Sequence, residues 1–125
     1  MRLRRPSAGL KSRRSRNIEA RDVVVGAFPG ARLTKTRPAV VLSTEDYHRH
    51  RPDVVVGLIT TQAPNPLAPT DCALRDWRQA GLHAPSFFRL YPVTLPQREV
   101  RPIGRLSDPD WGAVRVCFKA GLVGE

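Results

Sequence analysis

The sequence predicts an α+β domain: a small, strongly bent antiparallel barrel with short helical turns and one C-terminal helix. Three observations lead there. Five or six short runs rich in β-branched and aromatic residues are spread along the 125-residue chain. Between them lie tight loops punctuated by 9 Gly and 12 Pro. A sustained helical period occurs only at the C-terminus. No internal repeat is visible.

Asp22 to Phe28 reads as a buried strand ended by Pro29-Gly30, followed by a polar, basic loop over residues 31–36. A second strand is expected from Pro38 to Ser43, because proline fits only a strand start or an edge. Ser43 or Thr44 can cap one helical turn over residues 44–49. The unbroken apolar run within Asp53 to Thr61 implies a third strand buried on both faces. The proline-rich stretch 63–69 must be irregular. Short strands are expected at 70–74, 86–91 and 100–105, with a glycine-stopped helical turn at 76–81 between the first two. At the last helix Ser107 caps, Pro109 lies in the first turn and Asp110 holds the reciprocal capping-box position. Trp111, Val114, Phe118 and Leu122 then recur on one face.

Charge is the strongest compositional signal, a formal +10 with a pI near 11.2. Residues 1–20 hold seven of the 21 Arg and Lys and one acidic residue, so more than half the excess lies there. We expect a basic, disordered tail over 1–20, able to bind nucleic acid through phosphates or simply solvated, and one domain over 21–125. With 41% apolar residues the domain can build a core. No apolar run approaches the roughly 18 residues that span a bilayer, and no secretory signal is seen, so a cytoplasmic protein without a membrane partner is expected. Cys72 and Cys117 lack CxxC spacing and read as buried thiols, and with His48, His50 and His83 they complete no metal set.

The chemistry sits in two segments. Arg37 precedes the run Pro38-Ala39-Val40-Val41-Leu42-Ser43, and Thr60, Thr61 and Gln62 close the run beginning at Asp53. Antiparallel pairing would gather a guanidinium, hydroxyls and an amide on one rim, a set suited to a phosphate. Without more, Arg37 would be read as an ordinary surface ion-pair partner and the threonines as ordinary strand residues.

The ordered set of Asp22-Val23-Val24, Phe28-Pro29-Gly30, Arg37-Pro38 with its strand, Asp53 to Gln62, Asp76-Trp77 with Ala80-Gly81-Leu82, and Gly104-Arg105-Leu106-Ser107-Asp108 resembles the MazF/PemK family of toxin endoribonucleases. The resemblance covers residues 21–120. It implies an SH3-like barrel, a homodimer neutralised by a cognate antitoxin, and cofactor-free, metal-free cleavage of single-stranded RNA to a 2′,3′-cyclic phosphate and a 5′-hydroxyl. It further implies that Arg37 and Thr60 carry the chemistry, and that Arg89 supports them. Lys35, Thr61, Gln62 and Trp77 are the other candidate RNA contacts, Trp77 by stacking on a base or else as a packed side chain. The sequence departs from the family pattern where an Arg-x-Asp motif would place a carboxylate, since Tyr91 stands there. With a pKa near 10 tyrosine is a poor base, which leaves His83 or water to take the proton. Two other readings remain open at this point: a non-catalytic barrel toxin that only binds a protein, and a basic RNA-binding barrel of the ribosomal type.

Overall fold

The computed structural model describes residues 17–30 and 33–124. Six strands form one antiparallel sheet: β1 (Asp22–Pro29), β2 (Thr34–Val41), β3 (Asp53–Thr60), β4 (Asp71–Ala73), β5 (Phe87–Pro96) and β6 (Arg101–Arg105). Their spatial order is β4-β5-β3-β2-β1-β6. The expected α+β fold with its bent antiparallel sheet and C-terminal helix is formed, with the barrel left open: β4 and β6 remain edges. Among the described residues two helices complete the fold, α1 (Glu45–His50) and α2 (Asp108–Leu122), with a 3₁₀ turn over Gln97–Glu99.

The bend gives the sheet two cores. Val24, Phe28, Ala39, Val41, Val54, Val56 and Leu95 fill its concave face. Val23, Val40, Ile59 and Phe88 point the other way and pack with Leu74, Leu82, Val114 and Cys117 beneath α2. Adjacent residues such as Val40 and Val41 are thus both fully buried on opposite faces.

The second strand starts earlier than its sequence suggests. β2 begins at Thr34 and pairs with β1 from Pro29–Thr34 to Val23–Val40, so Arg37 lies within the strand and not ahead of it. Pro38 is accommodated because the ladder with β3 covers only Ala39–Leu58, Val40–Gly57 and Val41–Val56. The Leu42 N–H donates to Val55 O at 2.8 Å, and alternation from there puts the Pro38 nitrogen on the β3 side, just past the last pair. No ladder bond is lost. β5 likewise runs on to Pro96. It passes Pro92 at an irregularity between the pairs Leu58–Arg89 and Val56–Val93, the kind of position where a strand tolerates proline.

The domain reaches back before residue 21. Ile18 is buried in the concave core, and its carbonyl accepts from His48 Nδ1 at 3.0 Å. Since a carbonyl only accepts, Nδ1 donates, while Nε2 is hydrogen-bonded with Ser43 Oγ at 2.6 Å, and Oγ accepts the Val55 N–H at 2.9 Å. His48 therefore ties the entry segment to the β2 and β3 region of the sheet. The rest of the expected tail, residues 1–16, lies outside the described residues.

Thr44 caps α1, accepting from the Tyr47 N–H at 3.2 Å. The stretch 76–81 is a hydrogen-bonded turn in which Gly81 N–H donates to Arg78 O and Leu82 N–H to Trp77 O, both at 3.1 Å. This is the bond pair of a Schellman ending, with Gly81 at φ +87°. Ser107 caps α2 as expected, but Asp110 is not its reciprocal partner. The Asp110 carboxylate, 3% exposed, accepts the N–H groups of Arg75 and Asp76 at 2.8 Å each. The helix also sits rotated from the expected face. Asp110, Val114 and Cys117 are its buried residues, and Gly121 lies so close to Leu90 that a Cβ would come within 2.4 Å of it. Trp111 and Phe118 are half-buried on the flank and Leu122 is exposed.

Cys72 and Cys117 are free thiols facing each other between β4 and α2. Burial and the neighbouring sulfur push Cys72 up to about 12, and burial raises Cys117 as well. Because the thiolate is the nucleophile, iodoacetamide at pH 8 is expected to leave both cysteines unmodified in the folded protein and to alkylate both in urea. Rapid native-state labelling by mass spectrometry would contradict that packing. The sign follows for stability too: thiols held protonated in the fold stabilise less as pH rises from 9 towards 12.

Candidate active site

Strand alternation decides which side chains meet. On β2, Lys35 and Arg37 share a face with the core residues Ala39 and Val41; on β3, Thr60 shares it with Leu58 and Val56. Arg89 stands directly opposite Leu58 on β5. These side chains project past the end of the concave core, where Phe28, Leu58 and Tyr91 help to wall a cleft of about 570 Å³. Continuing the β2–β3 register by two residues beyond Ala39–Leu58 sets Arg37 across from Thr60. The structure thus brings Arg37 and Thr60 to one rim, two residues past the last pair.

The cleft is electropositive. Lys35, Arg37 and Arg89 line it, and none of them joins the ion pairs found among the described residues, which engage Arg21, Arg49, Arg75 and Arg105. Arg37 is half-buried and Arg89 exposed. Thr60 Oγ1 accepts the Gln62 N–H at 3.1 Å. That bond fixes the hydroxyl and leaves its own proton free to be donated into the cleft. Among the described residues neither a carboxylate nor a histidine lines the cleft, and no three His, Cys, Asp or Glu side chains group as a metal site.

A family model of PemK-like, MazF-like toxins of type II toxin–antitoxin systems matches residues 19–122. The chain belongs to that family. A comparison with curated proteins finds no match. Among solved structures the MazF/PemK fold recurs in the Mycobacterium tuberculosis toxin MazF-mt6, at a TM-score of 0.68 and 22% identity over 84% of this chain and 99% of that one. It recurs in a MazE–MazF structure from Deinococcus radiodurans, at a TM-score of 0.68 and 17% identity, covering 86% of this chain and 97% of that one. A mycobacterial endoribonuclease in complex with its cognate antitoxin gives a TM-score of 0.65 and 19% identity, with 85% of this chain and 96% of that one covered.

In this MazF/PemK chain the sequence-derived candidates divide. Lys35, Arg37, Thr60, Gln62 and Arg89 come together in the cleft. Thr61 lies just past the strand end and lines an adjoining pocket. Trp77 is not brought to the site: it is half-buried against the core under α2, with the Arg78 guanidinium 4.5 Å over its ring. His83 is exposed in the β4–β5 connection and lines neither pocket. Sequence reasoning did not single out Phe28, Leu33 and Leu58 as cleft residues. Leu58 had a signal, since it lies two residues before Thr60 and must share its face. Leu33, 69% exposed, had none. Among the described residues no helix is long and apolar enough to cross a membrane.

Proposed function

We propose that this toxin is a metal-independent endoribonuclease that cleaves single-stranded RNA in the cytoplasm. One observation carries the reading: Arg37 and Thr60 face each other in a cleft whose other cations, Lys35 and Arg89, have no carboxylate partner among the described residues. The ribose 2′-OH supplies the nucleophile, so the protein need only orient it and stabilise the phosphorane. The 2′-oxygen bonds to phosphorus as the bond to the 5′-oxygen breaks, leaving a 2′,3′-cyclic phosphate and a 5′-hydroxyl. Arg37 neutralises the phosphorane with its fork of donors, and the Thr60 hydroxyl donates to a phosphoryl oxygen. Lys35 and Arg89 grip the flanking backbone, while Gln62 and Thr61 meet bases. With no carboxylate or histidine among the described residues of the cleft, the 2′-OH proton passes to water and the leaving oxygen recovers one from solvent, while Arg37 keeps its charge.

The family relationship supports a homodimer and a cognate antitoxin, whose acidic or apolar segment would cover this cationic cleft. The same lack of a base also favours a second reading, a toxin that binds RNA or protein without chemistry. Incubation of the purified protein with a long RNA in EDTA separates the two. Defined cuts with 5′-hydroxyl ends, at a rate rising with pH through neutrality without a plateau from a carboxylate or histidine, are expected. RNA that stays intact while bound would establish the second reading instead.

A further inference from the structure

Beyond the pair Ala39–Leu58 the β2–β3 ladder stops, and two pockets adjoin the unpaired ends of the strands. One is the concave cleft. The other is a separate pocket of about 370 Å³ on the opposite face, within the roughly 300–1,000 Å³ span of small-ligand sites. Alternation explains the division: Thr36, Pro38 and Ile59 point opposite to Lys35, Arg37 and Thr60, and Ile59 belongs to the core under α2. The two pockets share Lys35, Arg37, Thr60 and Gln62 as a common wall.

Their other linings differ in chemistry. The concave cleft adds a cation, Arg89, and the 53% exposed ring of Tyr91. The second pocket adds no charge. It presents an apolar wall of Pro38 and Ile59 beside the hydroxyls of Thr36 and Thr61, while Ser86 Oγ is committed to Ala84 O at 2.8 Å. Away from the shared Lys35 and Arg37, neutral hydroxyls beside an apolar wall suit the edge and face of a nucleobase.

Resting on the endoribonuclease reading, we infer that the second pocket is a base-binding subsite and that the RNA crosses the Arg37–Thr60 pair, with the nucleotides on either side of the scissile phosphate held in different pockets. Recognition is then divided: one base is read on the concave face beside Tyr91, the other in the second pocket beside Thr36 and Thr61.

Two variants test this, Thr36→Trp, which fills the second pocket, and Tyr91→Ala, which strips the first. Cleavage of a random-sequence RNA pool is sequenced at the cut ends. Each variant is expected to flatten the base preference on one side of the cut, and the two on opposite sides. A parallel measurement needs no turnover: Thr36→Trp should weaken binding of an RNA oligonucleotide with a 2′-deoxy residue at the cut site at least fivefold. Removing the nucleotides on one side of that residue should erase the difference. Preferences that change on the same side in both variants, or binding by Thr36→Trp equal to the unaltered protein, would overturn the inference. Failure of the endoribonuclease reading looks different, because the unaltered protein then leaves the pool uncut.

Discussion

Replacing Arg37 with alanine is expected to slow RNA cleavage by about 10²–10³-fold, the usual loss when one preorganised donor to a developing oxyanion is removed. The effect should fall on the chemical step, read as a single-turnover rate at saturating protein. Lys35 and Arg89 remain to hold the strand, so affinity for a non-cleavable oligonucleotide should drop far less. Arg37→Lys keeps the charge but loses the planar fork, and should lie between. The fold should be indifferent, because Arg37 takes part in no ion pair found among the described residues, and such positions change stability by about 0.5 kcal/mol or less. An Arg37→Ala protein that cleaves at the full rate would mean that the phosphorane is stabilised elsewhere.

The second large effect concerns stability. Asp110 is 3% exposed and accepts two backbone N–H groups, from Arg75 and Asp76. Hydrogen bonds to a charged group contribute about 1.5–3 kcal/mol each, and an orphaned buried donor adds its own desolvation cost. Asp110→Ala should therefore destabilise by about 3 kcal/mol, lowering the melting temperature by roughly 10 °C for a domain of this size. Asp110→Asn retains one acceptor oxygen and should lose about half as much. Because Asp110 packs on the α2 side of the sheet, cleavage measured well below the melting temperature should be unchanged. A loss under about 1 kcal/mol in urea denaturation would show that water replaces the carboxylate.

These two residues also show what the sequence reveals and what it hides. Arg37 and Thr60 were legible as partners because strand runs with β-branched residues mark both segments, and antiparallel pairing is the simplest way to join them. Where Arg37 sits on its strand was not legible: β2 extends to Thr34 only because Phe28 and Pro29 offer it a partner, and pairing is non-local. Asp110 was read as a capping residue from spacing alone, whereas its partners lie 34 and 35 residues away in sequence. Hydropathy chose Trp111 and Phe118 as the inward face of α2. The helix instead turns its small residues to the sheet, since Cys117 and Gly121 permit an approach that bulky side chains would block. For Trp77 the sequence leaves stacking and packing both open, and only the Gly81 ending, which folds its turn back on the core, shows why it is half-buried.

The end of the β2–β3 ladder at Ala39–Leu58 has a consequence for how this toxin can change. A sheet gains stability from each added ladder pair, yet every pair added beyond Ala39–Leu58 would draw Arg37 and Thr60 into a closed seam and leave no room for a substrate. If the proposed cleavage is what the cleft serves, selection for a sturdier fold and selection for activity pull on the same few residues in opposite directions. Pro38, having no N–H to offer β3 at the first step of such a zipper, keeps that competition from being settled in favour of the sheet.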